Sequence, residues 1–229
     1  MKRFYAVAEA RVVDGGWEVA LDGRPVRTPA RAPLLLPTAA LAEGVAAEWQ
    51  AQDERIEPLT MPLTGLSNAA IDRIAPEREA FAAGLAAYAA TDLLAYRAGS
   101  PAVLAARQAE AWNPWLAWLA RRYDVALLTT AGIAHVAQAP AALTRIGAAY
   151  ASFDAFRLAA TSSAVTITGS AVLGLAFAES AIDAEAAWAA GHLDELWQAE
   201  QWGRDPLAEA AQAERRASLA AAERLLALL

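Results

Sequence analysis

The chain has 229 residues, 57% of them hydrophobic, which is enough apolar material for one large domain or two small ones. Its net charge of −7 and its lack of a run of basic residues argue against a nucleic-acid partner, because phosphate binding needs clustered Lys or Arg side chains. The chain contains no cysteine, which excludes disulfides, thiolate metal ligands and a cysteine nucleophile.

The N-terminal segment predicts a small β-rich unit. Its residues RVVDGGWEVAL form two short β-like runs around Asp14-Gly15-Gly16, and this favours a hairpin because aspartate and glycine tolerate positive φ. A second turn is expected at Asp22-Gly23. The prolines of the next segment, RPVRTPARAPLLLP, restrict it to edge strands and loops, since proline cannot donate a ladder hydrogen bond.

Two helices are expected after these strands. The first follows Thr38, a suitable N-cap, and ends near Gln52. Its apolar stripe is formed by side chains four residues apart: Leu41, Val45 and Trp49. The second helix follows the connection RIEPLTMPLT and is expected to end at Pro76. Residues 1–75 are therefore predicted to form an α+β N-terminal domain.

Residues 76–229 predict a larger helical domain, so the expected fold class is α+β. Ser100-Pro101 indicates a cap and a helix start, and Asn113-Pro114 indicates a helix break followed by a new start. The segment DVALLTTAGIAHVAQAP is ambiguous, and a short extended stretch is one alternative for it. The last helix is expected to begin at Pro206 and to be amphipathic.

The segment Leu158–Ala178 contains no charged residue and is long enough to cross a bilayer. The Ser and Thr side chains of its first half make it weakly hydrophobic, so we expect a helix buried in the helical domain and no stable membrane insertion. The N-terminal sequence has neither the apolar core of a secretory signal nor the Arg-rich pattern of a transit segment. These features predict a cytoplasmic protein.

Few motifs in the sequence suggest catalysis. The segments DGG, LDGRP and ITGSAVLG lack the spacing of a nucleotide-binding glycine loop. The 2 histidines, His135 and His192, have no metal-ligand spacing, so structural roles are expected for both. We therefore expect no cofactor, no metal ion, no catalytic residue and no small-molecule substrate.

The segment AGHLDELWQAEQWGRD combines acidic, aromatic and amide side chains. Asp194 and Glu195 are adjacent, so on a helix they point roughly 100° apart and cannot form a close dyad by themselves. A helical wheel places Asp194 on the solvent face and Glu195 at its boundary. Three alternatives remain: a solvated helix face whose tryptophans cover the core, a partner-binding surface, or a hydrolase or transferase that uses His192 with Asp194, Glu195 or Glu200.

Several short motifs occur along the chain in a specific order: LDGRPVRTP, EWQAQ, MPLT, TDLLAYR and WQAEQWG. Each motif alone is modest, but in this order they resemble the ATP12 family, assembly chaperones for the F1 portion of ATP synthase. The resemblance extends from about Arg3 to beyond Asp205 and so includes nearly the whole chain.

The resemblance implies a protein that is not an enzyme. Family members bind the free α subunit of F1 and shield the surface that later meets the β subunit. They have a small β-rich N-terminal domain and a larger helical C-terminal domain. A bacterial relative would act in the cytoplasm, whereas the mitochondrial matrix would apply to eukaryotic relatives.

The resemblance also implies where the partner binds. An important acid of the family lies just before WQxxxWG, and it maps to either Asp194 or Glu195. The other expected partner-binding residues are Trp197, Gln198, Trp202 and, in the EWQAQ motif, Trp49. Because Trp49 also completes the apolar stripe of the first helix, a role in folding is the alternative for this residue.

Overall fold

The computed structural model describes residues 1–203 and 206–229. Arg204 and Asp205, which end the DELWQAEQWGRD motif, lie outside the described residues. The chain forms two compact units. Unit 1 comprises Met1–Arg78, Asp154–Ala160 and Ala221–Leu229, and unit 2 comprises Glu79–Phe153 and Thr161–Ala220. A short β region is followed by helices, which confirms the α+β class, whereas the domain boundary at Pro76 stays a prediction.

Unit 1 begins with a 3-stranded antiparallel sheet in the order β1-β2-β3. Its first elements are β1 (Ala8–Val13), β2 (Gly16–Leu21), β3 (Arg24–Pro25), α1 (Ala39–Gln50) and α2 (Pro62–Ala69). In the β1–β2 register Val13 pairs with Gly16, so the predicted hairpin is confirmed. A Cβ atom at Gly16 would lie 2.7 Å from the carbonyl oxygen of Leu36. Glycine at this position therefore permits the close approach of the chain at Leu36 to the hairpin.

The first predicted helix is confirmed as α1. The Thr38 hydroxyl accepts a hydrogen bond from the Leu41 amide at 3.1 Å, which satisfies one of the free N–H groups at the helix start. Leu41 and Val45 are fully buried, and Trp49 is half-buried on the same stripe.

Glu48 joins two of the sequence motifs, EWQAQ and MPLT. This buried carboxylate accepts hydrogen bonds from the amides of Leu63 and Thr64 at 2.7 and 2.8 Å, and from the Thr64 hydroxyl at 2.8 Å. Both amides belong to the first turn of α2, where an anion is stabilised by the free N–H groups and the helix dipole. The two motifs therefore supply the hydrogen bonds that join α1 to the start of α2 in unit 1.

The second helix does not end at Pro76, contrary to the prediction. After α2 the chain continues through a π-helical turn, Ala70–Ile74, and a 3₁₀ turn, Ala75–Glu77, into α3 (Arg78–Ala86). Pro76 lies in the first positions of the 3₁₀ turn, where its missing N–H costs little, because the first amides of a helical turn have no partner within that turn.

Unit 2 is mainly helical. Its helical elements are α3, α4 (Ala102–Tyr123), α5 (Pro140–Ala151), α6 (Ala155–Thr168), α7 (Ala171–Ala178), α8 (Ala184–Gly191), α9 (Leu193–Trp202) and α10 (Pro206–Ala227), of which α3, α6 and α10 also contribute residues to unit 1. A parallel pair, β4 (Tyr96–Arg97) and β5 (Thr130–Ala131), confirms the short extended stretch in the ambiguous segment. The last helix begins at Pro206 as predicted.

The predicted helix break at Asn113-Pro114 is wrong, because α4 continues through both residues. Pro114 has no N–H group to donate to the carbonyl of Glu110, one helical turn earlier. Both residues are exposed. That carbonyl can bind water, while Trp112 and Leu119 are buried on the packed face and hold the helix together. At the other end of α4 the cap residue is Pro101, without a side-chain cap, and not Ser100 as expected.

The uncharged segment Leu158–Ala178 forms two helices, α6 and α7, which are separated at Gly169 and Ser170. Gly169 has a φ of +71°, a conformation that favours glycine. All 8 residues of α7 are buried. In the part of the chain that the structure describes, no helix combines the length and the hydropathy needed to span a membrane.

Asp92 stabilises the start of α7. This fully buried carboxylate accepts hydrogen bonds from the Ser170 hydroxyl at 2.8 Å and the Val172 amide at 3.0 Å, and it also accepts one from the Leu94 amide at 3.0 Å. Burial raises the pKa of Asp92 to about 6, although these hydrogen bonds act in the opposite direction. The aspartate of the TDLLAYR motif is thus an internal helix cap.

Close packing at Gly174 leads to a stability prediction. A Cβ atom there would lie 2.3 Å from Val165 Cγ2 and 2.6 Å from Tyr150 Oη, so Gly174→Ala should lower the free energy of unfolding by about 1–3 kcal/mol through overpacking. Gly147→Ala in α5 is the matched control, because it meets no atom within 4 Å and should raise stability by about 0.5–1 kcal/mol. Urea unfolding of both variants tests this, and equal effects would contradict it.

Asp92 leads to a prediction about pH. Because its pKa rises from 3.8 in the unfolded chain to about 6 in the fold, the folded protein binds this proton more tightly. Its stabilising contribution is present at low pH and is lost as the pH rises through the folded pKa. The free energy of unfolding of the wild type minus that of Asp92→Asn should therefore be more positive near pH 4 than near pH 7.5, by up to about 3 kcal/mol. Chemical unfolding at the two pH values measures this, and a difference independent of pH would contradict it.

Candidate functional site

The AGHLDELWQAEQWGRD segment forms two helices that meet at His192. Asp183 caps the start of α8, and α8 ends at His192, after which α9 begins directly. The His192 ring is 2% exposed and stacks on Trp188, with 3.5 Å between the ring centroids and 17° between their planes. Burial lowers the pKa of His192, which favours the neutral ring in this stack. The sequence-based wheel treated the segment as one helix, and the break at His192 changes the faces that it assigned.

Two buried polar groups of α4 hold this pair of helices. The Trp112 indole N–H donates to the carbonyl oxygen of Ala190 at 2.8 Å, and so satisfies a carbonyl in the last turn of α8. The Gln108 side-chain amide donates to Oδ1 of Asp194 at 2.7 Å. Asp194 is half-buried and occupied by this bond, so the wheel was wrong to place it on the solvent face.

The TDLLAYR motif also supports Gln108. The Arg97 guanidinium donates to the backbone carbonyl of Gln108 at 2.9 Å and to Oδ1 of Asn113 at 2.9 Å, and it lies 5.1 Å from the centroid of the Trp112 ring. The side-chain oxygen of Gln108 accepts from the Ala98 amide at 2.7 Å. Neither Gln108 nor Arg97 was among the predicted site residues, and their only signal in the sequence is that they lie in stretches that carry the family resemblance, QAEAWNPWLAWLARRY and TDLLAYR.

Glu195 points into a groove between α9 and α10. The groove has a volume of about 830 Å³. Residues of α8 and α9 that line the groove include Trp188, Glu195, Leu196, Gln198, Ala199, Glu200 and Trp202. Residues of α10 that line it include Ala208, Gln212, Ala213, Arg215 and Arg216. Glu195 and Gln198 are exposed, in contrast to Asp194. Of the two acids predicted to bind the partner, Glu195 is therefore the more exposed.

Trp202 is the most exposed aromatic residue of the predicted site, with 76% of its surface accessible. Its ring meets the half-buried Trp197 edge-on, with 6.0 Å between the centroids. Glu200 on the same helix forms an exposed ion pair with Arg107 at 2.6 Å. At Gly203, with a φ of +92°, α9 ends immediately after Trp202. The structure thus brings Asp194, Glu195, Trp197, Gln198 and Trp202 together on one short helix.

Trp49 lies in unit 1, in a different setting from the residues of α9. Its ring packs edge-on against Tyr5 at 5.8 Å, and its backbone carbonyl accepts from the Tyr5 hydroxyl at 2.6 Å. The indole N–H is buried and has no hydrogen-bond partner among the described residues. These contacts agree with the alternative role of Trp49 in folding.

The hydrolase alternative receives little support from this geometry. Nδ1 of His192 lies 3.2 Å from the Trp188 carbonyl oxygen, and the ring face is covered by the Trp188 stack. The nearest acid in sequence, Asp194, is bonded to Gln108. Within residues 1–203 and 206–229 no group of three or more His, Asp or Glu side chains is arranged to hold a metal ion.

Comparisons with known proteins agree with the motifs. A model of the family described as ATP12 chaperone protein matches residues 2–120. The structure of Atp12 from Paracoccus denitrificans is 46% identical, with a TM-score of 0.96 over 99% of this chain and 97% of that chain, and a lysine-for-aspartate mutant of that protein gives the same values. A protein from Agrobacterium tumefaciens is 39% identical, with a TM-score of 0.94 over 99% of this chain and 85% of that chain. The chain described here therefore belongs to the ATP12 family of chaperone proteins.

Proposed function

We propose that this protein is an assembly chaperone for the F1 portion of ATP synthase that binds the free α subunit through the groove between α9 and α10. It shields the α-subunit surface that later meets the β subunit. The observation that carries the proposal is the exposed Trp202 beside an open groove in a member of the ATP12 family.

The apolar side chains of the groove supply the binding energy in this proposal. The exposed Trp202 ring offers a large contact area, because an aromatic side chain buries about 150–250 Å² when it is covered. Trp202 and Leu196 stand on one wall, and the small side chains of Ala208 and Ala213 on the other leave room for a client segment. Tryptophan is among the residues most enriched at interface hot spots.

The charged side chains of the groove supply specificity. Glu195 is exposed, lies in the first turn of α9 and lines the groove together with Arg215. Arg216 is bonded to Glu185 and stacks near Trp188, so its charge is already balanced. We propose that Glu195 forms a charge-assisted hydrogen bond with a basic side chain of the α subunit.

Release of the client follows from competition. No glycine-loop motif for nucleotide binding occurs in the sequence, so nucleotide hydrolysis is not part of the proposal. The β subunit competes for the same surface of α, and mass action then transfers α to the growing hexamer.

Suppression of α-subunit aggregation tests the proposed function. Light scattering of purified F1 α subunit should fall in proportion to added wild-type protein. Trp202→Ala should weaken this effect roughly tenfold, since it removes the exposed anchor. Leu59→Ala is the control, because Leu59 is 99% exposed, lies in unit 1 and is also a large apolar side chain. Scattering that is unchanged by the wild-type protein would overturn the proposal.

A charge reversal at Glu195 tests the role of the acid. Glu195→Lys should weaken α-subunit binding, measured by calorimetry, by roughly tenfold or more. Its melting temperature should stay close to that of the wild type, because surface changes cost within about 0.5 kcal/mol. Glu110→Lys on α4 is the matched control for the same charge change at an exposed helical position. Equal binding by both variants would contradict a contact through Glu195.

A further inference from the structure

We infer that Gln108 is a positioning residue for the client-binding helix, acting through its hydrogen bond to Asp194, while Glu195 makes the charged contact. The inference rests on the proposed function, because the surface that Gln108 positions is the proposed binding surface. It also assigns different roles to the two acids that the sequence left equivalent.

The side-chain nitrogen, the side-chain oxygen and the backbone carbonyl of Gln108 all have hydrogen-bond partners. It is 1% exposed. Its side-chain N–H donates to Asp194 at 2.7 Å, and its side-chain oxygen accepts from Ala98 at 2.7 Å, so the orientation of the amide is fixed by both bonds. Arg97 holds the Gln108 backbone carbonyl at 2.9 Å. A buried amide with both ends occupied cannot turn without leaving a polar group unsatisfied, which is costly.

The bond to Gln108 matters because the other contacts of α9 are made by half-buried side chains and by an exposed ion pair between Glu200 and Arg107 at 2.6 Å. No residue of α9 is buried, so apolar packing contributes less to its position than it does for α7 or α8. The start of α9 is held by the stacked His192 and by the bond from Gln108 to Asp194. Its far end carries the exposed Trp202. A change at the Gln108–Asp194 pair should therefore displace the whole helix, including Glu195 and Trp202.

The pair can be tested by exchanging the amide and the carboxylate between positions 108 and 194. Gln108→Glu places a second carboxylate against Asp194, which removes the donor and adds repulsion. The double variant Gln108→Glu/Asp194→Asn restores an amide and a carboxylate with the same total charge and the roles reversed. Asp194→Asn alone removes the charge but keeps an oxygen that can accept from Gln108.

Two properties are measured for each variant. The first is affinity for purified F1 α subunit, where Gln108→Glu should lose roughly tenfold and the double variant should recover most of this loss. Asp194→Asn should bind within about twofold of wild type, unlike Glu195→Lys. The second is amide hydrogen exchange of α9 without any client, which should accelerate in Gln108→Glu and recover in the double variant. Ala117→Glu, an added charge at an exposed position of α4, is the control for both.

The outcomes separate this inference from the proposed function. If wild-type protein does not bind α, the proposed function fails, and exchange of α9 still tests the role of Gln108. If Gln108→Glu leaves both affinity and α9 exchange unchanged, the inference is overturned. If Asp194→Asn loses as much affinity as Glu195→Lys, Asp194 itself contacts the client and the assigned roles are wrong. A uniform rise in exchange over the whole chain, without recovery in the double variant, would show a general loss of stability and would also overturn the inference.

Discussion

The carboxylate of Asp92 at the start of α7 is the interaction on which unit 2 depends. Every residue of α7 is buried, so its first amides cannot reach water and need an internal acceptor. Asp92 and Ser170 provide that acceptor, and burial raises the pKa of the carboxyl group as the cost of placing it there. Five residues further along the TDLLAYR motif, Arg97 fixes Gln108 of α4. One short motif thus secures both the buried helix and the support of α9.

The helices of unit 2 therefore differ in how they are held. The burial of α7 is complete, that of α8 is partial, and α9 has no buried residue. A helix without a buried face depends on specific hydrogen bonds for its position. The same arrangement leaves half of the residues of α9 exposed to solvent, whereas all residues of α7 are buried.

The sequence predicts those features of the fold that depend on local chemistry. The Asp14-Gly15-Gly16 hairpin and the Thr38 cap were recoverable because each depends on neighbouring residues only. Pro114 does not break α4, contrary to the prediction, because tertiary packing at Trp112 overrides the cost of one missing hydrogen bond. In the candidate site, the sequence singled out the α9 segment as a partner-contact region, which stays a prediction, and it could not separate Asp194 from Glu195. Their difference comes from Gln108, a residue 86 positions away in sequence, and no periodicity encodes that contact.

An assembly chaperone must bind its client firmly enough to prevent aggregation and weakly enough to lose it to the permanent partner. In the proposed function the contact relies on one aromatic anchor and one acid at a groove with a volume of about 830 Å³, and the β subunit displaces it by mass action. Affinity in such a contact depends strongly on pre-organisation, because only a few interactions offset the conformational entropy lost when the binding surface becomes ordered. In the proposed function a fixed α9 lowers that cost without adding contact area, which would give a physical reason for a fully bonded, buried glutamine behind the proposed binding helix.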